Sequence, residues 1–112
     1  MSNRICFVEL PVGTIGPAKS FYAEAFGLSM SDFGPSYSCT MTGDVDLGLQ
    51  ADAREATGAP LPVIQVDSLE AVEILVKRAG GTITKPAFSF PGGRRFHFRD
   101  PAGNELAAMQ AT

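Results

Sequence analysis

Apolar and polar residues alternate near the C-terminal end of the chain, and this alternation predicts two β-strands. Side chains of a strand point alternately to the two faces of its sheet. The segment between the strands, Asp100–Asn104, favours a tight turn, because proline fixes φ while glycine and asparagine accept positive φ. One predicted face carries Phe96, Phe98, Leu106 and Ala108, and the other carries Arg95, His97, Glu105, Ala107 and Met109.

Two further stretches have the three-to-four-residue apolar spacing of a helix. The first runs from Ala18 to Phe26, with Pro17 in its first turn and Gly27 as its stop. The second covers residues 71–79; Asp67 or Ser68 is its predicted N-cap, and two glycines end it. The apolar positions of the two helices repeat at a constant offset, which indicates an internal duplication.

Short β-rich runs fill the remaining chain. The predicted strands are Ile5–Val12, Leu28–Phe33, Ser36–Thr42, Val45–Gln50, Leu61–Val66, Thr82–Lys85, Arg94–Arg99 and Asn104–Gln110. Strand, helix and three strands therefore occur twice, and a single such unit cannot bury both faces of its sheet. We predict an α+β fold of one domain, residues 1–112. Two tandem βαβββ modules, about 1–52 and 60–112, form a curved mixed-sheet half-barrel around a central cavity.

Composition narrows the classes of function. Hydrophobic residues make up 45% of the 112 positions, which predicts a packed core. A net charge of −3 with mixed signs argues against nucleic acid as a partner, although the basic group Arg94, Arg95 and Arg99 suits one small anion. No apolar run approaches the roughly 18 residues of a membrane span, and no signal core follows Met1. We therefore expect no membrane partner and a cytoplasmic protein. Cys6 and Cys39 are expected to be free thiols.

Three segments of the first module and the closing hairpin carry a family resemblance. They are Phe7-Val8-Glu9-Leu10-Pro11-Val12, Ala18-Lys19-Ser20-Phe21-Tyr22, Phe26-Gly27 and Phe98-Arg99-Asp100-Pro101-Ala102-Gly103-Asn104-Glu105-Leu106. Together they resemble the vicinal oxygen chelate superfamily, which includes glyoxalase I, extradiol dioxygenases, and fosfomycin- and bleomycin-resistance proteins. The resemblance covers nearly the whole chain. It implies the two-module fold and a homodimer.

The resemblance also implies where a metal would bind. Its ligand positions fall on Phe7, Leu61 and Ala107, with a fourth near the end of the fourth strand, where Asp46 or Gln50 could be shifted onto it. Divalent metals require nitrogen, oxygen or sulfur ligands, which phenylalanine, leucine and alanine side chains lack. We therefore predict no metal and no other cofactor, and we expect neither metal-dependent glyoxalase nor dioxygenase activity.

Strand parity, together with the resemblance, defines the residues expected around the cavity. They are Phe7, Glu9, Leu61, Val63, Gln65, Phe88, Phe90, Arg95, His97, Glu105 and Ala107. Arg95 is either an anion-binding group or a solvated arginine at the rim. His97, the only histidine, is either an acid–base group with Glu9 or a structural residue bonded to a carboxylate such as Glu9. Phe88 and Phe90 are expected in a loop before the seventh strand, as a lid or a core plug.

Three functions remain open from the sequence. The first is a metal-free binding protein that holds a small, partly apolar molecule, anionic or neutral, between the modules. The second is a metal-independent lyase or isomerase that uses His97 and Glu9 as its acid–base pair. The third is a non-catalytic dimeric scaffold whose pocket is filled by aromatic side chains.

Overall fold

Residues 3–112 are described by a computed structural model of the protein. The elements are β1 (Arg4–Pro11), α1 (Ile15–Phe26), β2 (Ser31–Asp32), β3 (Tyr37–Cys39), β4 (Asp46–Gln50), β5 (Leu61–Gln65), α2 (Leu69–Arg78), β6 (Thr82–Phe90), β7 (Gly93–Arg99) and β8 (Glu105–Ala111). Their order confirms the α+β class and the doubled βαβββ pattern. Contacts group the chain into two compact units, residues 7–61 and residues 62–112 with the start of β1.

The first unit is a four-stranded sheet in the order β2-β3-β4-β1. β4 pairs in parallel with β1 and antiparallel with β3. α1 has Pro17 in its first turn and ends at Gly27, whose φ of 69° suits glycine and whose N–H bonds to the carbonyl of Ala23 at 2.9 Å. No residue of α1 is buried, and Phe21 and Phe26 are both more than half exposed.

Two strands of this unit are much shorter than the alternation predicts. The expected strands 28–33 and 36–42 are reduced to Ser31–Asp32 and Tyr37–Cys39. The carboxylate of Asp46 accepts hydrogen bonds from the Thr40 hydroxyl at 2.7 Å and from the Thr42 N–H at 2.8 Å. These bonds shape residues 40–46 as a loop, because side-chain acceptors compete with the sheet for backbone donors.

The second unit is a four-stranded sheet in the order β5-β8-β7-β6. α2 begins at its N-cap Ser68, whose hydroxyl accepts a hydrogen bond from the N–H of Ala71 at 3.2 Å. The back of the sheet and this helix share one core. It contains Val66, Leu69, Phe96 and Ala108, with Ile64, Val72, Val76, Ile83 and Phe98 packed against it. The predicted apolar face of the closing strands is therefore the core face.

The sixth strand is longer than predicted. β6 continues through Pro86 to Phe90, so Phe88 and Phe90 lie on a strand and not on the expected loop. Proline is tolerated here because β6 is an edge strand of its unit, where a missing backbone N–H need not break a ladder. Register shifts on both sides of Lys85 further adjust the pairing with β7. The two phenylalanines are thereby fixed relative to β7.

Both cysteines are free thiols, as expected. The Cys6 Sγ–H is buried and donates to the carbonyl of Val63 at 3.5 Å, whereas Cys39 is half-buried. Within residues 3–112, neither helix has the length and apolar character needed to cross a membrane.

Candidate functional site

Cross-strand pairing assembles most of the predicted site residues on one face of the second unit. Residues directly opposite each other in neighbouring strands point to the same side. One row runs through Lys85, His97, Ala107 and Val63, and the next runs through Phe88, Arg95, Met109 and Gln65. Parity along the strands adds Leu61, Phe90 and Glu105. We call this side, opposite α2, the front face.

The guanidinium of Arg95 lies over two aromatic rings on the front face. Its central carbon is 5.3 Å from the ring centroid of Phe88 and 5.3 Å from that of Phe90. Lys85 adds a second cation, with its Nζ 4.6 Å from the Phe88 centroid. Arg95 is only 5% exposed, so it is not a solvated arginine at a rim. A buried arginine stacked on rings keeps its planar fork in a fixed orientation.

His97 is held by a carboxylate from the neighbouring strand. Its Nδ1 lies 3.2 Å from Oε2 of Glu105, and the same oxygen accepts a hydrogen bond from the Thr84 hydroxyl at 3.1 Å. The imidazole is 2% exposed and its ring centroid is 5.8 Å from that of Phe88. The carboxylate that bonds His97 is thus Glu105, whereas the sequence suggested Glu9. Glu105 was predicted on the site face but without this role.

The protonation of His97 follows from its surroundings. Burial lowers the pKa of the imidazole, and the positive charges of Arg95 and Lys85 lower it further, against the opposing effect of Glu105. The ring is therefore neutral at neutral pH. A neutral ring beside a carboxylate carries its proton on Nδ1, which donates to Glu105. Nε2 is then an acceptor; it is buried, and no group within residues 3–112 forms a hydrogen bond with it.

Glu9 and Phe7 lie on β1 and belong to the first unit's sheet. Glu9 pairs with Gly48 of β4 and is 2% exposed. A Cβ on Gly48 would lie 2.5 Å from the hydroxyl oxygen of Tyr37, so the ring of Tyr37 crosses β4 where only a glycine leaves room. Tyr37 was not predicted as a site residue, because the predicted strand around it gave no clear alternation.

Asp46 and Gln50, the two uncertain metal positions, lie at the two ends of β4, and each accepts hydrogen bonds from an adjoining loop. Besides Thr40, Asp46 accepts from the N–H and hydroxyl of Thr42 at 2.8 and 2.7 Å. Burial raises the pKa of the Asp46 carboxyl, but the hydrogen bonds that it accepts lower this pKa by more, so the net direction is downward. The side-chain oxygen of Gln50 accepts from the N–H of Asp52 at 3.0 Å.

The side chains present do not fit the metal that the resemblance implies. Leu61 and Ala107 are fully buried and, like Phe7, carry no ligating atom. Across residues 3–112, no cluster of three or more histidine, cysteine, aspartate or glutamate side chains could hold a metal ion. We therefore derive no chemical step through a metal.

A separate surface depression lies in the first unit. It has a volume of about 400 Å³. Its lining residues are Pro11, Val12, Gly13, Ala51, Ala53, Ala56, Thr57 and Gly58. None of them is charged and none belongs to the predicted site, so this depression offers no group that would recognise an anion.

Lys85 and Met109 also lie on the front face and were missing from the predicted site. The alternation of the closing strand predicts Met109 on the same face as Arg95, so the sequence carried a signal for this residue. Lys85 carried no usable signal, because the register shifts on both sides of it break simple alternation between β6 and β7.

Comparisons with known proteins place the fold. A family model described as the Glyoxalase/Bleomycin resistance protein/Dioxygenase superfamily matches residues 4–108. A hypothetical protein from Bacillus halodurans is 17% identical, with a TM-score of 0.78 over 100% of this chain and 96% of that one. A superfamily member from Vibrio splendidus is 17% identical, with a TM-score of 0.72 over 99% and 100% of the two chains.

A manganese-bound glyoxalase from Novosphingobium aromaticivorans is also similar, at 19% identity and a TM-score of 0.70. The match covers 97% of this chain but 40% of that one. At these identities, the solved structures show that the fold is shared, and they carry no information about activity. A search of curated proteins finds no match to the chain.

Proposed function

The chain belongs to the glyoxalase/bleomycin resistance protein/dioxygenase superfamily, and we propose that it binds a small, partly apolar anion without a metal. The front face of the second module is the proposed binding surface. The observation that carries this proposal is the buried Arg95, whose guanidinium lies over the rings of Phe88 and Phe90, two residues from the buried His97 on the same strand face.

The chemistry of these side chains defines the ligand. The guanidinium fork matches a carboxylate or a phosphate, and Lys85 adds positive charge on the same side. The phenylalanine rings offer an apolar surface to a flat or aliphatic portion of the ligand. A few polar groups among apolar side chains are typical of small-molecule sites. The position of the ligand between the two modules stays a prediction.

Access to Arg95 requires a movement, since both it and His97 are buried. Phe88 and Phe90 are the elements we propose to move, because they lie on an edge strand with two register shifts and a proline. The same burial favours a second candidate function, a non-catalytic scaffold whose front face stays closed. The lyase or isomerase alternative is not proposed, because the carboxylate bonded to His97 is that of Glu105.

Calorimetric titration and thermal unfolding with benzoate and phenyl phosphate test the proposal, with neutral benzamide for comparison. The test variant is Arg95→Gln, and the matched control is Arg94→Gln. Arg94 lies next in sequence but points away and pairs with Glu70 at 2.8 Å. We expect an anion to bind the wild type and the Arg94 variant, and to lose at least about tenfold in affinity with Arg95→Gln.

Circular dichroism establishes that the Arg95 variant is folded, and Arg95→Lys separates charge from the bidentate fork. Binding of either anion that is unaffected at Arg95 would place the ligand elsewhere and contradict the proposal. Failure of both anions to bind, in the wild type and in a Phe88→Ala variant that uncovers the site, would favour the scaffold.

A further inference from the structure

One ring nitrogen of His97, on the front face, has no hydrogen-bond partner among residues 3–112. This nitrogen, Nε2, is fully buried and forms no hydrogen bond within the described part of the chain, although the ring is anchored through Nδ1 to Glu105. Buried polar atoms are nearly always satisfied, because leaving one without a partner loses the hydrogen bond that water supplied in the unfolded chain. If His97 had only a structural role, its hydrogen bond from Nδ1 to Glu105 would be sufficient. The loss of free energy from burying Nε2 without a partner would then have no explanation.

The surroundings of the ring decide what Nε2 can offer. Within the sheet of the second unit, Lys85 from β6, Arg95 from β7 and Glu105 from β8 are the charged groups that act on the ring. The two cations disfavour a positive imidazole, and the carboxylate must receive the single ring proton on Nδ1. The opposite tautomer would turn a nitrogen lone pair toward the oxygen of Glu105. Nε2 is therefore a hydrogen-bond acceptor and cannot recognise an anion itself.

We propose that the ligand of the front face carries a hydroxyl or amine group besides its anionic group, and that this group donates a hydrogen bond to Nε2 of His97. The inference rests on the proposed binding function and names its substrate class, a small hydroxy acid or amino acid with an apolar portion. Arg95 selects the anion, Phe88 and Phe90 contact the apolar portion, and His97 selects the donor.

The first test reads the tautomer directly. His97 is the only histidine of the chain, so long-range proton–nitrogen NMR of the imidazole needs no assignment. We expect a protonated Nδ1 and an unprotonated Nε2 in the wild type. Glu105→Gln removes that preference, because an amide can donate to Nδ1; Thr84→Val, which removes only the other bond to Glu105, keeps it. A proton on Nε2 in the wild type would overturn the inference.

The second test uses two probes that differ by one hydroxyl, phenylacetate and mandelate. We expect mandelate to bind about tenfold more tightly and to shift the Nε2 resonance, as one hydrogen bond to a buried acceptor would. Glu105→Gln and His97→Phe are expected to abolish the difference in affinity between mandelate and phenylacetate, which is compared within each variant. The two variants perturb different strands, so a folding defect in one leaves the other as a test.

The outcomes separate the two proposals. Equal affinity for both probes, with no movement of the Nε2 resonance, would overturn the role of His97 and leave the binding function standing. Absence of binding by either probe, in a protein that NMR shows to be folded, would overturn the binding function, and the inference with it.

Discussion

Replacing Phe88 with alanine uncovers His97 and lowers the stability of the protein. The ring is half-buried, lies 5.8 Å from the imidazole centroid, and is contacted by both Lys85 and Arg95. Truncating a fully buried phenylalanine costs about 3–5 kcal/mol, so the half-buried ring contributes about 2 kcal/mol. The two cation–π contacts add about 1 kcal/mol. We therefore expect the free energy of unfolding to fall by about 2–3 kcal/mol.

The assay is modification of the single histidine by diethyl pyrocarbonate, which attacks an unprotonated imidazole. Mass spectrometry of the peptide that contains His97 gives the rate. In the wild type Nε2 is buried, so modification requires an opening of the structure. We expect the Phe88→Ala variant to react at least about tenfold faster than a control variant of similar stability, because loss of the ring opens local access to Nε2 in the folded protein.

Phe98→Ala is the matched control. Phe98 is also half-buried, but it packs against the core on the side of the sheet opposite to His97. Its loss destabilises the protein by a similar amount without opening the front face. If both variants react equally fast, modification follows global unfolding and the reasoning about local access is refuted. If Phe88→Ala reacts no faster than the wild type, this ring does not cover the site.

Three further measurements follow from the structure. The folded pKa of His97 lies below its ordinary value of 6.5, so the unfolded chain takes up the proton first as pH falls. Urea unfolding should show stability declining as pH drops through 6.5 in the wild type and declining less in His97→Gln; equal slopes would contradict the buried neutral ring. Gly48→Ala should cost about 1–3 kcal/mol through its clash with the Tyr37 hydroxyl, and Tyr37→Phe should recover part of that loss in a double-mutant cycle. Elemental analysis of protein purified without chelators should find no stoichiometric zinc, nickel, iron or manganese, and one metal per chain would oppose the proposed function.

Local patterns were sufficient to predict the order of the elements. The turn at Asp100 illustrates why, since its carboxylate accepts from the N–H groups of Ala102 and Asn104, both within four residues. Gly27 ends α1 through its own backbone conformation, and Ser68 caps α2 through a bond three residues away. Such interactions depend on neighbours in the sequence, so they can be predicted from the sequence alone.

The extent of β6 depended on tertiary structure. Residues 86–90 contain a proline and carry little strand signal, yet they pair with β7 because that strand offers free backbone groups and β6 lies at the edge of its sheet. This pairing moved Phe88 and Phe90 from an expected loop to positions against Arg95.

The sequence by itself determined which residues within each predicted strand point to the same side, because the two-residue repeat of a strand is a local property. It could not determine the partner of His97, the burial of Arg95 or the presence of Lys85. Those facts depend on register between strands, which the hairpin turns and the two register shifts in β6 set together. The role of His97 Nε2 as a hydrogen-bond acceptor could therefore be inferred only from the tertiary structure.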